Sequence, residues 1–163
     1  MTNNELCCSI EQKPVKLYCP HCYSLGKKVD ILTVKALVKE GEIINLQAKS
    51  DYYYCPDENC NVVYFNNTAT PSIFLKNSIK TKIGIKQDSN GYICYCFGFI
   101  ARDLLENPSL EKIIREQVKI KNCACEVKNI HGSCCLGDVQ KVLKKTAFDV
   151  SLKSQMPSVS PKI

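Results

Sequence analysis

The chain has 163 residues, a formal net charge of +6 and an apolar share of 45%, yet twelve of those apolar residues are Cys and none is Trp. So thin an inventory for packing calls for covalent or metal staples, and the charge does not concentrate anywhere: residues 1–87 and 88–163 each carry eleven basic and eight acidic side chains, which argues against a dedicated nucleic-acid protein. No apolar run nears the roughly 18 residues of a membrane span, and Met1–Pro14 shows no secretory pattern, so a cytoplasmic protein without a membrane span is expected.

Residues 1–16 are polar and read as a flexible leader, which carries Cys7-Cys8. A first module covers residues 17–75. Leu17-Tyr18 runs into Cys19-Pro20-His21-Cys22, a tight turn in which His21 reads as a solvated residue. Val29, Ile31 and Val34 predict a strand, and Tyr52-Tyr53-Tyr54 and Val62-Val63-Tyr64-Phe65 predict two more, flanking Cys55 and Cys60. Residues 66–72 form a polar turn around Pro71. A second module covers residues 76–145. Between Ile79 and Lys86, Ile79, Ile83 and Ile85 alternate with Lys80, Lys82 and Lys86, the pattern of a half-buried strand with its lysines in water. Asp88-Ser89-Asn90-Gly91 is a turn. Helices are predicted only beyond it. One spans Ile100 to Glu106; a second opens at Asn107-Pro108 and carries Leu110, Ile113, Ile114, Gln117 and Val118 on one face; a third follows Cys135 with Leu136, Val139, Val142 and Leu143. Residues 146–163 turn to Ser, Pro and Lys and read as a disordered tail. The fold class is α+β: a small β ribbon packed with a helical module.

The cysteines come in close groups: Cys7-Cys8, Cys19/Cys22, Cys55/Cys60, Cys94/Cys96, Cys123/Cys125 and Cys134-Cys135. Vicinal and C-x-C pairs cannot close relaxed disulfides on themselves, and a reducing compartment disfavours disulfides in any case. Close thiolates suit a cation that gathers several sulfurs. C-P-x-C followed by C-P-x-x-x-C, each after an aromatic strand, is a zinc-ribbon arrangement, with Cys19, Cys22, Cys55 and Cys60 around one structural zinc. A redox C-x-x-C would need βαβ surroundings that are missing.

The later cysteines have a different grammar. Two irons bridged by sulfide need four thiolates, two per iron. Cys94-Tyr95-Cys96 can supply one iron, and a pair drawn from Cys123/Cys125 and Cys134/Cys135 the other. A helix after Cys135 would turn its N–H groups toward the anionic centre.

Cys94-Tyr-Cys-Phe-Gly98, Cys123-Ala-Cys125 and Gly132-Ser-Cys-Cys-Leu-Gly-Asp-Val139, together with Cys19-Pro-His-Cys22 and Cys60-Asn-Val-Val-Tyr-Phe65, resemble the amino-terminal domain of CopZ-type copper chaperones, over about Leu17 to Lys145. The resemblance implies one zinc and one 2Fe–2S cluster, in a cluster half similar to bacterioferritin-associated ferredoxin. Carried across, it makes Cys94, Cys96, Cys125 and Cys135 the cluster ligands, with Cys123 and Cys134 as alternates. It also implies a link to copper. The family's Met-x-Cys-x-x-Cys copper loop has no counterpart in this sequence. Cys7-Cys8 is a soft-metal pair that could take Cu(I).

Lys76, Lys80, Lys82 and Lys86 fall in a stretch without acidic residues, a candidate docking face for an acidic redox partner or a copper transporter or chaperone domain. Nucleic acid is not expected, because Tyr52, Tyr53, Tyr54, Tyr64 and Phe65 read as ribbon packing rather than as a stacking platform. No P-loop or dinucleotide fingerprint and no nucleophile triad is present, so the chain reads as an electron carrier rather than an enzyme. The alternative is a non-redox scaffold in which both sites are structural zinc.

Overall fold

The tyrosine run and the two turns that bracket it organise the first half of the chain. The structure, a computed structural model, describes residues 16–153, with side chains up to residue 145. Four short strands, β1 (Lys27–Val29), β2 (Tyr52–Tyr54), β3 (Val62–Phe65) and β4 (Ile73–Leu75), pair antiparallel in that order. Val29 lies opposite Tyr52, Tyr54 opposite Tyr64, and Phe65 opposite Ile73. Successive side chains of a strand face opposite ways. Tyr52 and Tyr54 therefore join a core with Val29, Val34, Val38, Val63, Tyr64 and Phe74, while Tyr53 faces a second cluster holding Cys19, Cys55, Cys60 and Phe65. One sheet thus has apolar packing on one face and sulfur on the other.

Two predicted strands are corrected. The run after Val29 is a helix, α1 (Ile31–Leu37), so helices are not confined to the second half. Asp30 caps it by accepting the Leu32 N–H at 2.7 Å, and Val34 and Leu37 recur at helical spacing on the buried side. Ile79–Lys86 is not a strand either: Ile79 makes an isolated bridge to Val38, Ile83 another to Tyr92, and Gly84–Lys86 is a single 3-10 turn. The chain crosses itself here, since a Cβ on Gly84 would lie 2.5 Å from the Gly91 carbonyl oxygen. The turn takes Lys86 out of water altogether.

The second half begins with a hairpin, β5 (Tyr92–Cys94) and β6 (Phe99–Ile100), turned at Gly98 with φ 73°. Helices α2 (Ala101–Glu106), α3 (Leu110–Lys119), α4 (Cys125–Lys128) and α5 (Leu136–Lys153) follow. Asp103 closes the start of α2 by accepting the Ile100 N–H at 3.0 Å. Asn107-Pro108 forms a turn ahead of α3, with the Asn107 side chain accepting from Ser109 N–H, rather than its first residues. On α3 Ile114 is buried and Ile113 half exposed, so the apolar face is narrower than the spacing predicts. Ile93, Cys94, Leu104, Ile114, Cys135 and Val139 make the local core. The helix α5 runs eight residues beyond Lys145, into the stretch predicted to be a disordered tail. No Pro or Gly interrupts Asp138–Lys153, and Ala147, Val150 and Leu152 continue a pattern compatible with helix. Residues 1–15 and 154–163 lie outside the described residues.

The halves share structure. Ile130, between α4 and α5, is fully buried in the same core as Tyr64 and Phe74, and Tyr64 donates its hydroxyl proton to the Ile130 carbonyl. Helix α1 packs on α4, with Thr33 Oγ1 donating to the Glu126 carbonyl at 2.7 Å. Gly132 (φ 68°) lies against Thr33, where a Cβ would meet Thr33 Oγ1 at 2.6 Å. Among the described residues no helix is long and apolar enough to cross a membrane.

Candidate metal centres

The first turn forms because Tyr23, at φ 60°, lets its N–H reach back to the Cys19 carbonyl at 3.0 Å, while Cys19 N–H reaches Ser24 at 2.9 Å. The second is an Asp57 turn: its carboxylate accepts Asn59 N–H at 2.8 Å and its carbonyl accepts Cys60 N–H at 3.3 Å. The ladder bond from Cys55 N–H to Val63 fixes where the second turn leaves the sheet. Together they bring Cys19, Cys22, Cys55 and Cys60 so close that all four sulfurs lie within 4.8 Å of one another. Cys19 and Cys60 are 3.8 Å apart, Cys22 and Cys55 3.5 Å. Four ligands about 2.3 Å from a central zinc would have tetrahedral edges of about 3.8 Å. Cys19, Cys55 and Cys60 are buried and Cys22 partly so. Burial pushes the Cys55 and Cys60 thiols up. Burial works against the Cys22 thiolate too, but hydrogen bonds to the Ser24 side chain and backbone outweigh it and bring Cys22 down to about 7. His21 is exposed, as its turn position predicts, and its Nδ1 lies 3.6 Å from the Cys60 sulfur, outside the four-sulfur set.

Lys86 is a neighbour that the sequence pattern misplaces. Its Nζ donates to the Asp57 carbonyl at 2.8 Å and the Cys60 carbonyl at 3.2 Å, and lies 5.4 Å from the centre of the Tyr54 ring. Burial lowers its pKa, against the influence of Cys55 and Cys60. Strict alternation puts it on the wet face; only the run of lysines without acidic partners marked the segment at all.

The later cysteines sit on four different elements. Cys94 ends β5, Cys96 lies in the β5–β6 turn, Cys125 opens α4 and Cys135 directly precedes α5. Their sulfurs form two pairs: Cys135 with Cys94 at 3.2 Å and Cys96 with Cys125 at 3.6 Å. The close contacts thus run from the Cys94-x-Cys96 pair to the later cysteines rather than within the pair. Cys94 points into the local core, where Cys135 arrives, while Cys96 faces the start of α4 and accepts the Ala124 N–H at 3.3 Å. Among the described residues, no three Cys, His, Asp or Glu donors outside the ribbon share the mutual closeness of the first site. Cys123 is partly buried and Cys134 exposed, and neither belongs to the two pairs. The hydrogen bond to Cys135 pulls Cys94 down to about 7 against burial, the same bond and burial push Cys135 up, and burial pushes Cys125 up to about 12. The ten described cysteines are free thiols; Cys7-Cys8 lies outside the described residues.

Beside Cys135, His131 bridges Ser133 Oγ (2.7 Å) and the Asp138 carboxylate, with its ring 6.1 Å from that of Tyr54. Burial raises the pKa of Asp138, but the His131 bond outweighs it and holds the carboxyl below its usual range.

Comparison with known proteins agrees with this geometry. The zf_CopZ family, a zinc binding domain, matches residues 16–80, which contain the whole four-sulfur site. The chain is 38% identical to the copper chaperone CopZ of Archaeoglobus fulgidus, over 83% of this chain and 69% of that protein. It also superposes on the X-ray structure of the N-terminal domain of that CopZ with a TM-score of 0.59 at 33% identity, covering 77% of this chain and 97% of the domain. The paired knuckles, the sheet behind them and this similarity place the chain in the CopZ copper-chaperone family.

Proposed function

We propose that this protein is a metal-handling electron carrier of copper trafficking, with one zinc on Cys19, Cys22, Cys55 and Cys60 and one 2Fe–2S cluster on Cys94, Cys96, Cys125 and Cys135. The observation that carries the reading is the contrast between four converging sulfurs in the ribbon and two separate sulfur pairs beyond it. One tetrahedral ion takes four thiolates at a point; a two-iron cluster takes two at each end. The Cys96–Cys125 spacing of 3.6 Å is near the tetrahedral edge for one metal, and the Cys94–Cys135 spacing of 3.2 Å is shorter than it. The donor set is all thiolate, which suits iron–sulfur chemistry, and the Ala124 N–H already points at the Cys96 sulfur, as a donor to a cluster ligand would.

The zinc gives no redox chemistry and holds the ribbon; a 2Fe–2S cluster supplies a one-electron couple. The chain's own task is to hold the four ligands. The ribbon does so from behind: Tyr64 and Thr33 grip the segment between Cys125 and Cys135 at Ile130 and Glu126. Delivered to Cu(II), one electron yields Cu(I), the state thiolates hold best. The copper link rests on the relative, named as a copper chaperone. Cys7-Cys8 is proposed as a soft-metal pair, the partner as a redox protein or a copper transporter or chaperone domain, and the setting as a reducing cytoplasm.

Anaerobic metal analysis with electron paramagnetic resonance tests this. The expected result is about two iron and one zinc per chain, with visible absorbance bleached by reductant and a signal in the reduced protein. A colourless protein with zinc alone would overturn it in favour of the non-redox scaffold.

A further inference from the structure

Lys86 is 1% exposed, and no carboxylate among the described residues comes within 4.0 Å of its ammonium. Its hydrogen bonds go to two main-chain carbonyls, those of Asp57 and Cys60. The carboxylate of Asp57 in that turn is half-buried and already accepts from Asn59 N–H and the Ser24 hydroxyl. A buried cation without a counter-anion is strongly unfavourable. The turn whose carbonyls Lys86 holds carries Cys55 and Cys60 at its two ends. When four thiols release their protons and take up one divalent ion, the centre is left with a formal charge of −2. That charge appears on the turn that Lys86 holds, and the Lys86 side chain is itself buried.

We propose that Lys86 is the counter-cation of the metal-filled four-thiolate site, a positioning residue that balances the dianion and holds the Asp57–Cys60 turn in its ligating shape. The role rests on the reading that this site holds zinc. Lys86 touches no ligand sulfur; it acts through the turn's carbonyls and through charge. Its neighbour completes the clamp without charge: Gln87, at φ 63°, donates from Nε2 to Asn59 Oδ1. Lys76 Nζ donates to the Lys86 carbonyl at 2.8 Å and anchors the clamp from behind. The same turn leads through residues 88–91 into β5, so the charge balance of the ribbon is built into the segment that delivers Cys94.

The test compares full-length wild type, Lys86→Met, Lys86→Arg and Gln87→Ala, each loaded with zinc and challenged with a chromogenic chelator at fixed pH. Lys86→Met is expected to lose zinc on the order of tenfold more readily, equivalent to about 1.4 kcal/mol. Lys86→Arg and Gln87→Ala are expected to stay within about threefold of wild type. With cobalt in place of zinc, the thiolate-to-metal charge-transfer band should shift in Lys86→Met alone, a signature that a merely mechanical clamp would not give. If Lys86→Met retains zinc like wild type, or if Gln87→Ala matches it in both readouts, the proposal fails while the zinc site stands. If wild type itself holds no zinc, the zinc reading fails and this role with it.

Discussion

The ribbon and the helical half solve one problem, gathering sulfur, in opposite ways. In the ribbon each pair of cysteines sits on one local turn, a few residues apart, and the sheet only has to bring two turns together. In both halves the close sulfur contacts join cysteines far apart in sequence, but in the second half the sulfurs are not carried on two facing turns: Cys94 and Cys96 come from a hairpin, Cys125 and Cys135 from the starts of two helices. Turn chemistry is written in a few residues; long-range contacts depend on every element between them. The first centre therefore needs only two turns set on one sheet, whereas the second depends on the packing of α4 and α5 and on the ribbon behind them.

The sharpest way to test this contrast is to remove a ribbon ligand. Cys55→Ala should abolish zinc binding and collapse both halves, because the apparent binding energy of a structural zinc is about 10–16 kcal/mol and the helical half leans on the ribbon. Metal analysis and circular dichroism read this out, and a folded, cluster-bearing Cys55→Ala protein would break the claimed hierarchy. Next, if the proposed cluster is present, Cys94→Ser or Cys135→Ser should eliminate its absorbance while zinc stays, whereas Cys134→Ser and Cys123→Ser should keep both. Loss of iron in Cys123→Ser but not in Cys125→Ser would reassign the pairs.

A smaller effect is expected at the seam. Tyr64→Phe leaves the buried Ile130 carbonyl without its donor and should cost about 1–3 kcal/mol in urea unfolding. If the ribbon positions the second centre, iron loss should quicken with zinc content unchanged. The smallest concerns Asp138. Its folded pKa is depressed, so its contribution is present above the ordinary carboxylate value and lost as pH falls through the lower folded value. Asp138→Asn should cost about 1 kcal/mol at neutral pH, a difference that fades in urea unfolding only below about pH 4.

Much of the ribbon was legible. Proline after cysteine, short spacing and aromatic flanks are local signals, and the aromatics bury as their pattern implies. Helix α1 was hidden because Ile31 and Val34 carry β-branched side chains, while the deciding element was Asp30, a cap of one residue. Lys86 was hidden for a different reason: alternation measures the face of an extended chain, and a 3-10 turn at Gly84 removes that geometry. The choice between adjacent cysteines could not be read from spacing at all. Cys134 and Cys135 differ by one position, and only the start of α5 against β5 leaves one exposed and the other buried beside Cys94.

By itself, then, the amino-acid order settled that sulfur and turns rather than a large apolar core would organise this protein, and where the ribbon's ligands stand. Tertiary structure decided which distant thiols meet, that a lysine is buried against the Asp57–Cys60 turn, and that both halves share the Ile130 core. The physical reason is range: turns and caps are set by interactions over a few residues, whereas burial and sulfur pairing across 29 and 41 positions exist only once the elements have packed.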